Sequence, residues 1–408
     1  MLNILSLKEV KRFRMLSSLI LVLFLVSNTS FAQEIGRTER IVSPDFTADN
    51  AIYFRIKAPQ AKSVQLSGNW MQMVSNGDQG MTRKLTDLTQ GEDGVWSVKV
   101  EGLEPELYGY TFLVDGVSTL DPSNFKIARD GTFRTESLLE VEGGQASLYY
   151  PKTGPKGSTH HIWYDSPTLN LTRRMIVYTP PGYEKSTERY PVLYLLHGGG
   201  GDEEAWSTLG VAPTILDNLI TSGKAESMIV VMTNGNPTQA AAFTVSPKID
   251  VSNSSVGGMA NKMFEKSLVN DVIPYVESNF RVKANKENRA LTGLSMGGLQ
   301  TMNTSFDHPE LFNYIGVMSM GFADLSRFGI EVDHSKRKEQ IQALKKENPA
   351  LYWIACGEDD FLYESVVTMR KELDSEKFNY VYRESPGGHT WKNWRIYLSE
   401  FTPMLFKQ

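Results

Sequence analysis

The spacing of apolar positions changes character partway along the chain. Between about residues 37 and 148 they alternate with polar ones. Ile52, Phe54 and Ile56 form one such run, followed by Val64 and Leu66, then Trp96, Val98 and Val100, then Tyr108, Tyr110, Phe112 and Val114. Period-two alternation in short runs predicts strands with one buried face. The runs are separated by Ser67-Gly68-Asn69, Gly91-Glu92-Asp93-Gly94 and Asp115-Gly116, and the last of these predicts a tight hairpin. An antiparallel β-sandwich of immunoglobulin-like type is expected over 37–148. Trp96 is in phase with Val98 and Val100 and belongs to its core face. Trp70 follows a turn and is the better candidate for exposure.

Beyond about residue 165 the apolar residues come in unbroken runs: Met175–Tyr178, Val192–Leu196, Met228–Met232 and Tyr314–Met318. Strands buried on both faces read this way. Helical spacing lies between them, as in Leu268, Val272 and Val276, where Pro274 is expected to kink or locally open the helix. This pattern predicts an α/β domain with a parallel sheet over 160–408. Residues 149–159, rich in Pro, Gly and Lys, are expected to link the two domains. The apolar His161-Ile162-Trp163-Tyr164 is expected to pack against both.

Composition narrows the function classes. A chain of 408 residues suggests two domains, and a net charge of -5 without a long internal basic run argues against nucleic acid as a partner. The single cysteine, Cys356, sits in an apolar run and excludes a disulfide framework or a cysteine-based zinc site. No metal site or cofactor is predicted. Residues 1–32 have a basic start, an apolar run over 16–26 and small residues before Ala32, which predicts a signal peptide and a secreted or periplasmic protein. No cysteine stands near the expected cleavage point, which argues against a lipid anchor.

The chemistry is concentrated at strand ends. Gly293-Leu294-Ser295-Met296-Gly297 lies between a predicted strand and a predicted helix, the pattern of a nucleophile elbow. Ser295 is the candidate nucleophile, and the Met296 N–H, at a helix start, is a candidate oxyanion donor. His197-Gly198-Gly199-Gly200-Gly201 follows the Val192–Leu196 strand and offers a second donor, Gly199, with Gly200 next. His197 itself is expected to hold the turn. The acid should follow the Leu351–Cys356 run, where Glu358, Asp359 and Asp360 stand side by side. The base should follow the next strand, where Ser385-Pro386-Gly387-Gly388-His389 supplies His389. His308 and His334 are weaker candidates. Trp206, Phe361, Leu362 and Trp391 are candidate walls for an acyl group, and the polar stretch 234–262 is a candidate lid.

Two resemblances sharpen this reading. Val64–Trp70, Gly94-Val95-Trp96 and Tyr108–Gly116 with Asp121-Pro122 resemble a family 48 carbohydrate-binding module. Arg173–Tyr183, the His197–Gly201 loop with Trp206, Gly293–Gly298, Cys356–Leu362 and Gly388–Trp391 resemble carbohydrate esterase family 1, of the α/β-hydrolase fold. In that family the acid stands three residues after the strand-end glycine and is followed by x-Leu, which selects Asp360. The resemblance implies a Ser-His-Asp esterase without a cofactor. The combination of modules resembles feruloyl esterases acting on plant arabinoxylan, so cell-wall polysaccharide or oligosaccharide esters are the implied partners. The family also holds acetylxylan and siderophore esterases. A non-catalytic carbohydrate-binding protein on the same scaffold is the alternative from another class.

Overall fold

The computed structural model describes residues 40–75, 81–130, 134–245, 262–324 and 335–407. The expected signal peptide, His334 and most of the candidate lid lie outside the described residues. The chain divides into Met1–Val42, of which only residues 40–42 are described, and a compact unit Ser43–Gln408.

The first part of that unit is built on two larger antiparallel sheets, beside a two-stranded one of Met73–Ser75 and Met81–Arg83. One orders Asp45–Phe46, Ile52–Lys57, Val95–Val100 and Thr89–Gln90; the other orders Ile127–Asp130, Arg134–Val141, Glu106–Val114, Val64–Gly68 and Thr86–Asp87. Their facing side chains bury Phe54, Leu66, Tyr110 and Phe112. The predicted hairpin forms with Val114 opposite Val117, and Asp115 and Gly116 both take positive φ, as a two-residue turn of this twist requires. Trp96 is buried and donates from Nε1 to the Ala58 carbonyl at 2.9 Å. Trp70 is half-buried rather than presented to solvent. Its ring covers Gly68 and meets those of Phe54 and Tyr108, centroids 5.8 and 5.5 Å away.

The second part is an eight-stranded sheet. Its strands are β1 (Ser158–Ser166), β2 (Leu171–Thr179), β3 (Val192–Leu196), β4 (Ile229–Thr233), β5 (Arg289–Leu294), β6 (Tyr314–Met318), β7 (Leu351–Gly357) and β8 (Val381–Ser385). Their spatial order is β1-β2-β4-β3-β5-β6-β7-β8. From β4 to β8 the sheet is parallel; β1 and β2 form an antiparallel hairpin and β2 runs antiparallel to β4. The expected all-parallel sheet is therefore mixed, because the short turn after Ser166 can only reverse the chain. In β3, Tyr194 and Leu196 join one core layer while Leu193 and Leu195 join the other, which is why the run shows no alternation. The helix around Pro274 opens as expected: a π-helical turn, Leu268–Val272, joins Met263–Ser267 to Ile273–Asn279, with Leu268, Val272 and Val276 buried.

The sandwich is packed against the larger sheet through a surface the sequence did not announce. Leu107, Ala146 and Tyr149 belong to the same apolar layer as Ile215, Leu216 and Tyr397. Asn218 donates to the carbonyls of Leu148 and Tyr150, and Gln145 donates to Ser399. The start of the expected linker is thus fixed, and the exposed stretch is 151–156. His161–Tyr164 does not make this interface. It is the middle of edge strand β1, with Trp163 half exposed and Tyr164 turned into the layer that holds Val192.

Candidate active site

Strand β5 ends at Leu294, and helix α1 (Met296–Asp307) begins two residues later. Ser295 between them has φ 54° and ψ -117°, a strained conformation for a residue with a side chain. The chain can turn this tightly because its neighbours are glycine. A Cβ on Gly293 would lie 2.5 Å from the backbone of Gly297, and one on Gly297 would lie 2.6 Å from the His197 carbonyl. The Ser295 N–H is held by the Met318 carbonyl at 2.9 Å. The serine thus stands at the C-terminal edge of the sheet, at the first turn of a twelve-residue helix.

The glycine loop after β3 lies beside it. A Cβ on Gly198 would touch Leu294 and Ser295, whereas one on Gly199 would meet nothing within 4 Å, so Gly199 faces open space. His197 is wholly buried and holds the turn, as the sequence suggested. Its Nε2 accepts the Gly235 N–H at 2.8 Å, so Nδ1 carries the proton and donates to the Gly198 carbonyl at 2.7 Å. Burial pushes its pKa down to about 4, keeping the ring neutral.

The three acids after β7 are separated by geometry. Glu358 and Asp359 are exposed, while Asp360 is buried. Both Asp360 oxygens lie 2.9 Å from His389 Nδ1, and Oδ1 also accepts the Leu362 N–H. The loop bearing His389 is fixed by Asn393, whose amide donates to the carbonyls of Pro386 and Gly388. Trp394 supports the imidazole edge-on at 4.9 Å and donates from Nε1 to Ser319. Sequence reasoning missed Asn393 and Trp394. Their spacing from His389, four and five residues downstream, was the available signal.

Ser295, His389, Gly198 and Gly199 line one cavity of about 290 Å³. Leu294, Leu209, Trp391 and Trp394 supply apolar walls, and Ile127, Ala128 and Arg129 close it from the sandwich. Arg129 is ion-paired with Asp202, the residue after the glycine loop, and lies over the ring of Phe243. Of the four predicted walls, Trp391 lines this cavity. Phe361 is exposed, its ring 4.5 Å from that of His389. Trp206 and Leu362 are corrections, since both point into core layers. Trp206 is buried behind Trp391 and donates to the Leu196 carbonyl at 2.9 Å; Leu362 packs with Val366 and Met369. His308 lies on the surface at the end of α1. Among the described residues no cluster of His, Cys, Asp or Glu could hold a metal ion, and no helix is long and apolar enough to cross a membrane.

A strained serine at a strand-to-helix turn, a buried carboxylate on a histidine and a glycine loop on the same cavity are together equipped for acyl transfer. Residues 166–405 match the family model described as Esterase. The chain belongs to this esterase family.

As a member of the esterase family, it is 36% identical over 371 residues to an endo-1,4-beta-xylanase/feruloyl esterase of Xylanibacter ruminicola, covering 89% of this chain and 46% of that protein. It is 24% identical over 266 residues to endo-1,4-beta-xylanase Y of Acetivibrio thermocellus, covering 59% of this chain and 22% of that one. The chain therefore spans less than half the length of either relative. Among solved structures, an enterobactin esterase from Shigella flexneri matches with TM-score 0.60 and 16% identity over 86% of this chain and 92% of its own. A CE1 ferulic acid esterase from Anaeromyces mucronatus matches with TM-score 0.51 and 21% identity, covering 65% and 98%. These two likenesses establish the α/β-hydrolase esterase fold.

Proposed function

We propose that this esterase hydrolyses hydroxycinnamoyl esters, such as feruloyl esters, borne on plant xylan. The observation that carries the reading is a cavity lined by both Ser295 and His389, with Asp360 2.9 Å behind the imidazole. A cavity of about 290 Å³ with Trp391, Trp394 and Leu209 in its walls suits a flat aromatic acyl group. The relative that is 36% identical, with feruloyl esterase in its description, supports this acyl group over acetate.

In this reading His389 takes the proton of Ser295 as Oγ attacks the ester carbonyl carbon. Asp360 fixes the histidine tautomer and stabilises the imidazolium. The N–H groups of Gly199 and Met296 hold the oxyanion, each worth about 3 kcal/mol in the barrier. His389 returns the proton to the leaving alcohol oxygen, and water then releases the acid from Ser295. The protein acts outside the cytoplasm, as the N-terminal basic and apolar segment suggests.

Side-by-side rates on methyl ferulate and p-nitrophenyl acetate test the acyl group. The expected result is a kcat/KM for methyl ferulate at least equal to that for the activated acetate. Efficient deacetylation with no cleavage of methyl ferulate would transfer the proposal to an acetylxylan esterase.

A further inference from the structure

The loop that offers the Gly199 N–H is a run of glycines, Gly198 to Gly201, so no side chain of its own can hold it. It is fixed from its two ends. At the inner end the buried His197 ring bonds the Gly198 carbonyl and the Gly235 N–H. At the outer end stand three acids, Asp202, Glu203 and Glu204, the first two almost fully buried. Glu203 and Glu204 both pair with Arg174 of β2, at 2.7 Å for Glu203. Glu203 also accepts the Ala242 N–H and the Asn234 amide. Asp202 pairs with Arg129, which comes from the sandwich, on the strand Ile127–Asp130.

We propose that Arg129 is a positioning residue for the oxyanion donor Gly199, acting through Asp202, so that the β-sandwich completes the oxyanion site of the hydrolase domain. The inference rests on the ester-hydrolase reading above, with Gly199 as a donor. Its physical basis is preorganisation. An N–H lowers the barrier only if it already points at the position the oxyanion will take, and a misplacement of about 1 Å can cost about 10²-fold in rate. Glycine has the most backbone freedom to lose, so a run of glycines needs constraint from outside. The Asp202 carboxylate supplies it. Its Oδ1 accepts the Glu204 N–H at 3.0 Å, which ties the carboxylate to the backbone just beyond the loop, and its Oδ2 meets the Arg129 guanidinium.

The surroundings make this pair a joint rather than a surface contact. The side chains are 17% exposed for Arg129 and 2% for Asp202, so water has little access to replace a lost partner. Arg129 also lies over the ring of Phe243, 5.3 Å from its centroid, and the preceding residue, Ala242, is the one that Glu203 holds. Ile127 and Ala128 bring the same strand to the wall of the cavity that Gly198, Gly199 and Ser295 line. Loss of the guanidinium leaves the Asp202 carboxylate buried and uncompensated. Turning it toward water releases the Glu204 N–H, and with it the outer end of the glycine loop. The damage falls on the group that meets the oxyanion, which is the same whatever acyl group or alcohol the ester carries.

The test uses the full chain with Arg129→Met and Arg129→Lys, with Asp202→Asn as a second route to the same loss and melting curves to verify folding. Arg129→Met should lower kcat by about tenfold to 10²-fold on methyl ferulate and by the same factor on p-nitrophenyl acetate, with KM changed by less than about twofold. Arg129→Lys should recover part of the loss, and the double variant Arg129→Met with Asp202→Asn should be no slower than the slower single one. An arylboronic acid, whose boron takes the Ser295 oxygen and becomes tetrahedral, should lose affinity in Arg129→Met by the factor that kcat loses, while ferulate binds as it does to the wild type. A folded Arg129→Met protein with kcat and boronate affinity within about twofold of wild type would overturn the proposal. A raised KM with kcat unchanged would overturn it too, since that marks a substrate contact. A wrong acyl group in the function proposed above shows instead as no turnover of methyl ferulate by the wild type, and the p-nitrophenyl acetate rates then decide the role of Arg129.

Discussion

Arg395 Nη2 lies 2.9 Å from Glu106 Oε1, and both side chains are almost fully buried. Glu106 belongs to the sandwich; Arg395 stands in helix α2 (Trp391–Phe401), which begins two residues after His389. The same guanidinium donates to the carbonyls of Leu107 and Leu209. One side chain therefore ties the sandwich, the histidine-bearing element and the Leu209 wall of the ester cavity together.

Removing one partner of such a pair leaves a buried charge uncompensated, which costs about 3–5 kcal/mol. Glu106→Gln is expected to lower the melting temperature by several degrees, and Arg395→Met to do the same. Chemical denaturation with a two-state fit measures the loss. A change within error would mean that water reaches the pair.

Truncation before residue 158 extends the argument. It strips Leu107, Ala146 and Tyr149 from an apolar layer they share with Ile215 and Tyr397. The shortened chain should lose stability and activity on methyl ferulate as well as on xylan. Full activity on methyl ferulate with a loss only on polymer would describe a tethered module, contrary to the packing seen.

The acids make a sharper pair. Asp360→Asn should lower kcat by about 10⁴-fold by spoiling the histidine tautomer. Asp359→Asn should have little effect, because that carboxylate is exposed and the residue meets the histidine loop through its backbone N–H on Gly387. The reverse outcome would place the acid one residue earlier in the loop.

Much of the site was legible because it depends on local backbone demands. Gly293 and Gly297 are written into the chain by a turn that admits no side chain, and the unbroken apolar run of β3 points to burial on both faces. Charge did not separate Asp360 from Asp359, and only the family resemblance selected it, since which carboxylate turns inward is decided by a turn closing on Gly357. Trp206 misled because an aromatic next to a glycine loop can face either way, and the bond to the Leu196 carbonyl turns it inward. Contacts such as Glu106 with Arg395 and Arg129 with Asp202 join residues far apart in the chain, and each charge looked like ordinary surface. The β-sandwich was readable as a fold, but its place against the ester site was not.

His197 gives a prediction in pH. Its folded pKa of about 4 lies below the ordinary value of 6.5, so the unfolded chain binds the proton more readily. Its contribution is fully present above pH 6.5 and is lost as pH falls toward 4, amounting to about 3 kcal/mol across that window. Stability of the wild type should fall over this range more steeply than that of His197→Gln, measured by denaturant midpoints at each pH. Parallel curves would show that the ring charges without penalty.

The central claim is that Ser295 is the nucleophile of an acyl-transfer site. Its most direct test is the rate of methyl ferulate hydrolysis by Ser295→Ala, with folding verified by an unchanged melting curve. The account predicts a fall in kcat of at least about 10⁴-fold, with only binding and the oxyanion donors left to act. A folded Ser295→Ala protein within about tenfold of wild type would contradict it.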